Sequence, residues 1–317
     1  MKILLAGGCG YVGTMLHNHL KEKHHDIITI VDLQWFGNKT DCDKVIKKDI
    51  FDLKQEDLIG FDTVVFIAGL SNDPMADFSP SENFIQNSAC PSYLAYISKK
   101  AGVKKFIYAS SCSVYGFSDD RFSTEEDPTF TQHPYGISKL QGERGVLQIA
   151  DDNFKVIALR KGTVCGYSPR MRLDLVLNIM FKHAMTTSTI TVNNPEIWRP
   201  ILSIQDAVQA YTNAIELDAP SGTYNICSGN YQIKELAQIV KEEIEKAYPD
   251  KQIIINNLSI QDVRNYKVSL EKAKNNLKFN PQYDVKNIIE DLINNYNNFS
   301  DFDNDIYYNI NTFKNIV

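Results

Sequence analysis

The sequence has no apolar run that approaches the roughly 20 residues needed to span a membrane. It also has no excess of basic residues, since 33 Lys and Arg face 39 Asp and Glu and the formal net charge is -6. Nucleic acids and anionic membrane surfaces both favour a basic protein surface. The sequence therefore argues against nucleic acid or membrane as the main partner, and we expect a cytoplasmic protein.

The cysteines show neither of the patterns that usually assign a role to this residue. No two of them form a C-x-x-C pair, and no His/Cys spacing is typical of zinc. Isolated thiols of this kind are typical of the reducing cytosol. We therefore expect no bound metal and free thiols at Cys9, Cys42, Cys90, Cys112, Cys165 and Cys227.

A parallel sheet is predicted by the first half of the chain. Short apolar runs alternate there with helical patterns, and the predicted strands are 3–6, 27–31, 63–68, 106–109 and 156–159. Strands without polar alternation, separated by helices, are typical of a parallel sheet that is covered on both faces. The fold class is therefore α/β, with a doubly wound parallel sheet of the Rossmann type.

The second half of the chain has a more irregular pattern. It predicts helices at 204–217 and 233–247, a strand at 223–227, and a helix capped by Asp284. We divide the chain into a first domain, 1–165, and a smaller α/β lobe, 166–317, from which elements can return to the first domain. The last twenty residues look like a poorly patterned extension that packs on the surface or on a partner subunit.

A dinucleotide site is predicted between the first strand and the first helix. Gly7, Gly10 and Gly13 allow a tight turn, a close approach of the backbone to a pyrophosphate, and close packing of helix on strand. The helix that follows directs unpaired amides at the phosphates. Asp32 ends the second strand, where a carboxylate holds ribose hydroxyls and repels a 2'-phosphate. We therefore expect NAD rather than NADP.

A proton-transfer pair is predicted at Tyr135 and Lys139. On a helix, residues four apart share a face, so the ammonium lies beside the phenol. Lowering the phenol pKa from about 10 to about 7 needs roughly 4 kcal/mol of preferential stabilisation of the anion. Ser111 follows an apolar strand, at the edge where open α/β sheets bind ligands, and is expected to orient the reacting oxygen.

Together, these motifs resemble the extended short-chain dehydrogenase/reductases and, more narrowly, the NAD-dependent nucleotide-sugar epimerase/dehydratase family. The resemblance covers nearly the whole chain and implies an enzyme with Tyr135, Lys139 and Ser111 as catalytic residues. The cofactor contacts that it implies are Gly7, Gly10, Tyr11, Val12, Gly13, Asp32, Leu33, Asp49, Ile50, Ala68, Gly69, Asn87, Ala109, Ser110, Tyr135 and Lys139.

The resemblance also implies that the second lobe binds a nucleotide-diphosphate sugar. The expected substrate contacts are Ser71, Asn72, Ser111, Ser113, Thr163, Arg170, Arg172, Asn178, Arg199 and Arg264. Arginine suits this task because its planar fork matches phosphate oxygens. The family usually has Asn where Thr163 stands. The helices around 82–101 and 133–150 resemble the dimer interface of the family, so we expect a homodimer.

The reaction is narrowed by the residues that follow Ser111. The 4,6-dehydratases of this family have an Asp-Glu pair where this chain has Cys112 and Ser113, which disfavours dehydration. GDP-fucose synthases have a cysteine where Ser113 stands. Oxidation at C4 remains, and further motifs resemble the GDP-manno-heptose 4-dehydrogenases of capsular polysaccharide biosynthesis. That activity is the first expectation, a UDP-hexose type 4-epimerase is the alternative, and a non-catalytic NAD-sensing module is more remote.

Overall fold

The computed structural model describes residues 1–24, 27–258 and 264–316. Within these residues the strands are β1 (Lys2–Ala6), β2 (Ile27–Asp32), β3 (Val45–Lys47), β4 (Thr63–Phe66), β5 (Lys105–Ser111), β6 (Phe117–Ser123), β7 (Lys155–Lys161), β8 (Thr163–Cys165), β9 (Thr189–Asn193), β10 (Trp198–Ser203), β11 (Gly222–Ile226), β12 (Gly229–Gln232), β13 (Ile254–Leu258) and β14 (Asn265–Val268).

The helices are α1 (Tyr11–His24), α2 (Asp73–Phe78), α3 (Pro80–Phe84), α4 (Cys90–Lys100), α5 (Pro134–Leu147), α6 (Val176–Thr187), α7 (Ile204–Glu216), α8 (Ile233–Ala247), α9 (Glu271–Leu277), α10 (Val285–Asn294) and α11 (Asn309–Lys314). A π-helical turn, Ile85–Ala89, joins α3 to α4. The end of the chain adds two short 3-10 turns, Tyr296–Asn298 and Asp305–Tyr307.

A seven-stranded sheet with the order β11-β7-β5-β4-β1-β2-β3 forms the main layer, and every neighbouring pair is parallel. The predicted doubly wound α/β fold is therefore confirmed. The chain passes outward on one side of β1 and then returns to build the other side from β4. Ligands bind at such a reversal of strand order, beyond the carboxyl ends of the strands. The turns after β1 and β4 meet there.

The side chains of each strand point alternately to the two faces of the sheet, and both faces are buried. Ile3 and Leu5 pack into a core with α1 and α7, whereas Leu4 and Ala6 pack into a second core with α4 and α5. Helix α5 lies close to the π-helical turn, since a Cβ at Gly142 would be 2.1 Å from the backbone oxygen of Asn87. This close packing positions the start of α5 at the carboxyl edge of the sheet.

The smaller lobe contains three short sheets. One has the order β12-β10-β8, and the pairs β13-β9 and β14-β6 form the other two. Strand β11 does not join them but pairs in parallel with β7 at the edge of the large sheet. The second half of the chain thus contributes to the first layer, and the boundary between 1–165 and 166–317 stays a prediction.

Several local predictions agree with the structure. The predicted strands of the large sheet and the helices at 204–217 and 233–247 are confirmed within about two residues. Asp284 caps α10 by accepting a hydrogen bond from the backbone nitrogen of Asn287 at 3.0 Å. The last residues pack on the chain itself, because Phe299 and Phe313 are fully buried.

A buried ion pair joins α5 to the sheet. Arg160 on β7 donates from Nη2 to Oε1 of Glu143 at 2.7 Å and from Nε to Oε2 at 2.9 Å, and both side chains are buried. Oε2 also accepts from the hydroxyl of Ser110 on β5 at 2.6 Å. Nη1 of Arg160 donates to the hydroxyl of Tyr115 at 2.8 Å. One carboxylate therefore ties a helix to two central strands.

We predict that Glu143→Ala lowers the free energy of unfolding by about 3 to 5 kcal/mol, because it leaves the guanidinium of Arg160 buried without its counter-charge. The double replacement of Glu143 by Leu and Arg160 by Met should lose less, since no charge is then left buried. Urea denaturation of the three proteins measures both effects. A loss below about 1 kcal/mol for Glu143→Ala would contradict the predicted cost of leaving Arg160 without its counter-charge.

Candidate active site

The turn after β1 has the shape that a pyrophosphate requires. Gly7 has a φ of +90°, and a Cβ there would lie 2.4 Å from the backbone nitrogen of Ala68. A Cβ at Gly13 would lie 2.6 Å from the carbonyl oxygen of Gly7, so only glycine lets α1 pack this closely on the turn. Tyr11 and Val12, the first two residues of α1, line the cleft, and the unpaired amides at the start of a helix suit phosphate binding. The cradle therefore fits the predicted dinucleotide.

Asp32 joins the glycine turn to the loop after β2. One oxygen accepts from the backbone nitrogen of Cys9 at 3.0 Å and the other from that of Gln34 at 2.6 Å. Burial raises the pKa of this carboxyl, and the two amides oppose that shift. The carboxylate lines the cleft and is oriented before any ligand arrives. This is the placement expected of the ribose-binding acid.

A single cleft of about 360 Å³ brings most of the predicted residues together, a volume within the range of ligand pockets. On the cofactor side it is lined by Gly10, Tyr11, Val12, Gly13, Asp32, Leu33, Asp49, Ile50, Ala68, Gly69 and Ser110. Ser111 and Tyr135 line it as well. The predicted substrate contacts in its wall are Ser71, Asn72, Ser113, Thr163, Arg170, Arg172, Arg199 and Arg264.

Five predicted contacts lie behind this wall instead of on it: Gly7, Asn87, Ala109, Lys139 and Asn178. Asn178 donates to the carbonyl oxygen of Arg172 at 2.7 Å and accepts from the nitrogen of Gly166 at 3.1 Å. The amide of Asn87 donates to the carbonyl oxygen of Leu70 at 2.8 Å. Direct ligand contacts predicted for the two asparagines do not fit this placement, since their side chains hold protein backbone.

Tyr135, at the start of α5, forms a hydroxyl cluster with the end of β5. The Ser111 side chain lowers the pKa of the phenol, and Oγ of Ser113 donates to Oγ of Ser111 at 2.9 Å. Burial has the larger effect and raises the pKa of Tyr135 to about 12, while the positive charge of Arg172 opposes it. The phenol is therefore protonated at neutral pH without a ligand.

Lys139 lies one turn further along α5, behind the wall of the cleft. Its Nζ donates to the carbonyl oxygen of Ala109 at 3.1 Å and lies 5.4 Å from the centre of the Tyr108 ring. Burial lowers the pKa of Lys139 to about 7, and the neighbouring charge of Lys161 adds to that shift. Ser111 and Arg172 lower the pKa of Tyr135 in this structure, and the role of Lys139 in proton transfer stays a prediction.

Arg172 is the centre of a network that closes one wall. Its Nε and Nη2 donate to the two oxygens of Asp174 at 2.8 and 3.0 Å, and its Nη1 donates to the hydroxyl of Ser71 at 3.0 Å. Asn72 donates to Asp174 at 2.9 Å. Asn309, at the start of α11, donates from its amide to Ser71 at 2.8 Å. The chain end is thus part of the site.

Arg170 lies at the cofactor end of the cleft, away from its predicted place among the substrate contacts. Its guanidinium stacks 3.7 Å above the ring of Phe36, which follows β2, and feels the charge of Asp32. Nη2 donates to the side-chain oxygen of Asn309 at 2.6 Å. Burial and the like charge of Arg172 lower the pKa of Arg170 to about 9. Its surroundings suit an anionic group of the cofactor better than the sugar.

The other arginines lie at the opposite end. Arg264 forms an ion pair with Asp73, and Arg199 donates to the carbonyl oxygen of Arg264. The guanidinium of Arg199 lies 5.4 Å from the centre of the Tyr266 ring. This end is open to a planar or phosphorylated group, which both arginines and the tyrosine ring can bind.

Several residues of the cleft were not predicted from the sequence. Lys161 ends β7 beside Ser111, a position that its place after an apolar strand could have indicated. Asp174 stands two residues after Arg172, where a carboxylate partner could also have been expected. Phe36 and Asn309 carried no signal, because their contacts with Arg170 join segments far apart in the chain.

Among residues 1–24, 27–258 and 264–316, no three His, Cys, Asp or Glu side chains are grouped as a metal ion would need. In that same part of the chain, no helix is both long and apolar enough to cross a bilayer. The cysteines are free thiols, and Cys112 donates to the carbonyl oxygen of Arg160 at 3.0 Å.

A dinucleotide-binding α/β enzyme of the extended short-chain dehydrogenase/reductase type is the class that this fold and site define. The NAD dependent epimerase/dehydratase family matches residues 3–227, more than half of the chain. The chain belongs to this family, and its cofactor is NAD.

Relatives with known names span almost the full length of the chain. A UDP-glucose 4-epimerase of Corynebacterium glutamicum is 26% identical over 314 residues, which are 92% of this chain and 94% of that protein. UDP-glucuronic acid decarboxylase 6 of Arabidopsis thaliana is 24% identical over 301 residues, 90% of this chain and 86% of that protein. The structure of MoeE5 in complex with UDP-glucose and NAD is similar in fold, with a TM-score of 0.81, 22% identity and coverage of 93% and 98%.

We predict that Lys139→Met stabilises the fold at pH 7, by roughly 2 kcal/mol, although it removes a residue of the active site. The unfolded lysine keeps its proton up to about pH 10.5, whereas the buried one loses it near pH 7. The unfolded state therefore binds more protons in this window, and wild-type stability rises with pH there. The gain should shrink toward zero as the pH approaches 10.5.

Thermal unfolding of both proteins from about pH 6 to about pH 10 measures this gain. Lys286→Met, on the exposed side of α10, is the matched control and should leave the melting temperature almost unchanged. A gain that stays constant with pH, or no gain at all, would show that the ammonium of Lys139 is not destabilised by its site.

Proposed function

We propose that the protein is a nucleotide-sugar 4-epimerase of the UDP-hexose type. The observation that carries the proposal is the cluster of Tyr135 and Ser111 hydroxyls inside the cleft that also contains the dinucleotide cradle. The phenol lies where a sugar hydroxyl can reach it, and the arginines of the opposite end can hold a diphosphate. The relative from Corynebacterium glutamicum named above is a UDP-glucose 4-epimerase, which supports the same conclusion.

The residues of the chain divide the work among them. Bound NAD supplies the hydride acceptor and donor at the reacting carbon. Ser111 holds the sugar hydroxyl by a hydrogen bond and orients it toward Tyr135. Tyr135 takes the hydroxyl proton and returns it after the sugar has turned. Arg172, whose charge favours the phenolate, makes the proton transfer easier.

Dehydration is disfavoured by the state of the carboxylates. Asp32 and Asp49 accept hydrogen bonds from backbone nitrogens, whereas Asp73 and Asp174 pair with arginines. Each carboxylate among the described residues of the cleft wall is thus engaged. Cys112 is no substitute, because burial raises the pKa of its thiol well above the usual value. No carboxylate among the described residues of the cleft wall is therefore free to protonate a departing C6 hydroxyl.

The GDP-manno-heptose 4-dehydrogenase activity expected from the sequence is no longer the preferred hypothesis. None of the relatives named above has a GDP-heptose in its name, and the UDP-hexose alternative agrees with their names better. An epimerase also needs no second oxidant, because the hydride that leaves the sugar returns to it. Capsule biosynthesis and the cytoplasmic location stay predictions from the sequence.

We also propose a homodimer through α4, α5 and the segment that precedes α4. Phe84, Ile85, Tyr96 and Ile137 expose apolar surface on these neighbouring helices. A second copy of the same face would cover them. Sedimentation should give twice the mass of one chain, and Tyr96→Glu should halve it while the circular dichroism spectrum is retained. A wild-type protein that sediments as a monomer at micromolar concentration would contradict this proposal.

We predict that Tyr135→Phe reduces turnover of UDP-glucose by about 10²- to 10⁴-fold, the usual contribution of a positioned acid–base group. The ring stays in place and only the phenol oxygen is lost, so bound NAD should be retained. Proton NMR of the sugar distinguishes the C4 epimers, and denaturation of the purified protein releases its NAD for quantification.

Tyr283→Phe, an exposed tyrosine far from the cleft, is the matched control and should keep wild-type turnover. Near-normal epimerisation by Tyr135→Phe would refute the role of the phenol. A wild-type protein that oxidises the sugar and releases the keto product, with loss of two hydrogens in the mass spectrum, would show a dehydrogenase instead.

A further inference from the structure

Lys161 lines the cleft on the strand next to Ser111. It is the last residue of β7, and its Cα pairs in register with that of Ser111 on β5. Neighbouring strands are about 4.8 Å apart. The side chain lines the cleft on the same face of the sheet as Ser111, and its Nζ lies 5.6 Å from the centre of the Tyr211 ring. Lys161 and Ser111 therefore line the same part of the cleft wall.

This ammonium has no counter-charge in the part of the chain that the structure describes. No carboxylate lies within ion-pair distance of Nζ there, and no oxygen accepts a hydrogen bond from it. Other cations of the cleft do have partners. Lys48 pairs with Asp57, Arg172 with Asp174, and Arg264 with Asp73.

The neighbours of Lys161 make its position less favourable still. Burial and the charge of Arg172 lower the pKa of Lys161 to about 8, and Lys161 in turn lowers that of Lys139. At neutral pH, Lys161 remains mostly charged. A charge that is taken out of water is normally compensated by an opposite charge or by hydrogen bonds. The natural source of that compensation is the ligand.

Resting on the proposed function, we propose that Lys161 is a specificity-determining residue that binds the carboxylate of a uronic acid, so that the substrate is a nucleotide-activated hexuronate. A hexuronate carries its carboxylate on C5, one carbon from the C4 that reacts. A cation beside Ser111 is within reach of that group. A neutral hexose has only a hydroxymethyl group there, which leaves the charge of Lys161 uncompensated.

The diphosphate of the cofactor and that of the nucleotide sugar are less suitable partners for Lys161. Tyr11 and Val12, at the start of α1, line the cradle for the cofactor phosphates. Arg199 and Arg264 lie at the far end of the cleft, where they suit the phosphates of the nucleotide sugar. Lys161 belongs to neither group, because its strand ends beside the reacting hydroxyls.

The test compares binding of UDP-glucuronate and UDP-glucose by calorimetry, with NAD-loaded protein in a Tyr135→Phe background so that neither ligand is turned over. Lys161→Met removes the charge and keeps the length of the side chain, whereas Lys161→Arg keeps a charge. Lys155→Met, at the opposite end of the same strand, is the matched control.

With Lys161 present, UDP-glucuronate should bind about ten- to a hundredfold more tightly than UDP-glucose, the effect of a hydrogen bond between charged groups. Lys161→Met should abolish this preference and change UDP-glucose binding less than about threefold, and Lys161→Arg should retain part of it. Lys155→Met should leave the preference intact.

Three results would overturn the inference: equal or tighter binding of UDP-glucose with Lys161 present, equal weakening of both ligands by Lys161→Met, or weakening of NAD binding alone. The second result would assign Lys161 to the shared diphosphate and the third to the cofactor. The proposed epimerase activity is judged separately, by NMR of wild-type products from both sugars, so that either claim can fail without the other.

Discussion

The position of the catalytic phenol depends on the buried pair of Glu143 and Arg160. Tyr135 is two helical turns before Glu143, so the orientation of α5 on the sheet determines where the phenol lies. Both oxygens of the carboxylate are used, and the guanidinium extends the network to Tyr115. That hydroxyl donates in turn to Asn225 of β11 at 2.7 Å. The same hydrogen bonds therefore stabilise the fold and determine the position of Tyr135.

The charged groups of the active site destabilise the fold but suit the binding of ligands. Lys139 and Lys161 are cations of lowered pKa at the edge of an apolar core. Arg172 compensates its own charge through Asp174 but adds repulsion toward Lys161. A phenol with a pKa near 12 is also unsuited to proton transfer until positive charge arrives. Functional sites commonly carry such unfavourable groups because binding relieves them.

The chain end shows how contacts that are distant in sequence complete the site. Asn309 reaches Ser71 and Arg170, while Phe313 is buried with Leu70 and Met75 under α2. These contacts join segments that are more than one hundred residues apart. No periodicity in the last twenty residues indicates them, since the described residues there form only short elements, such as the turn Asp305–Tyr307 and the six-residue helix α11.

Sequence alone determined the parallel sheet and the glycine turn with Asp32, and it predicted Tyr135 and Ser111 as residues of the cleft. Each of these depends on local spacing, such as apolar runs of strand length or the four-residue spacing of Tyr135 and Lys139. Small strands such as β8, β12 and β14 escaped prediction because they are stabilised by pairing across the lobe and not by their own composition. Tertiary structure alone decided that Lys139 binds a carbonyl oxygen, that Asn178 supports the wall, and that Lys161 faces the cleft. Those outcomes depend on which neighbours surround a side chain, and burial and charge at that distance are properties of the folded chain.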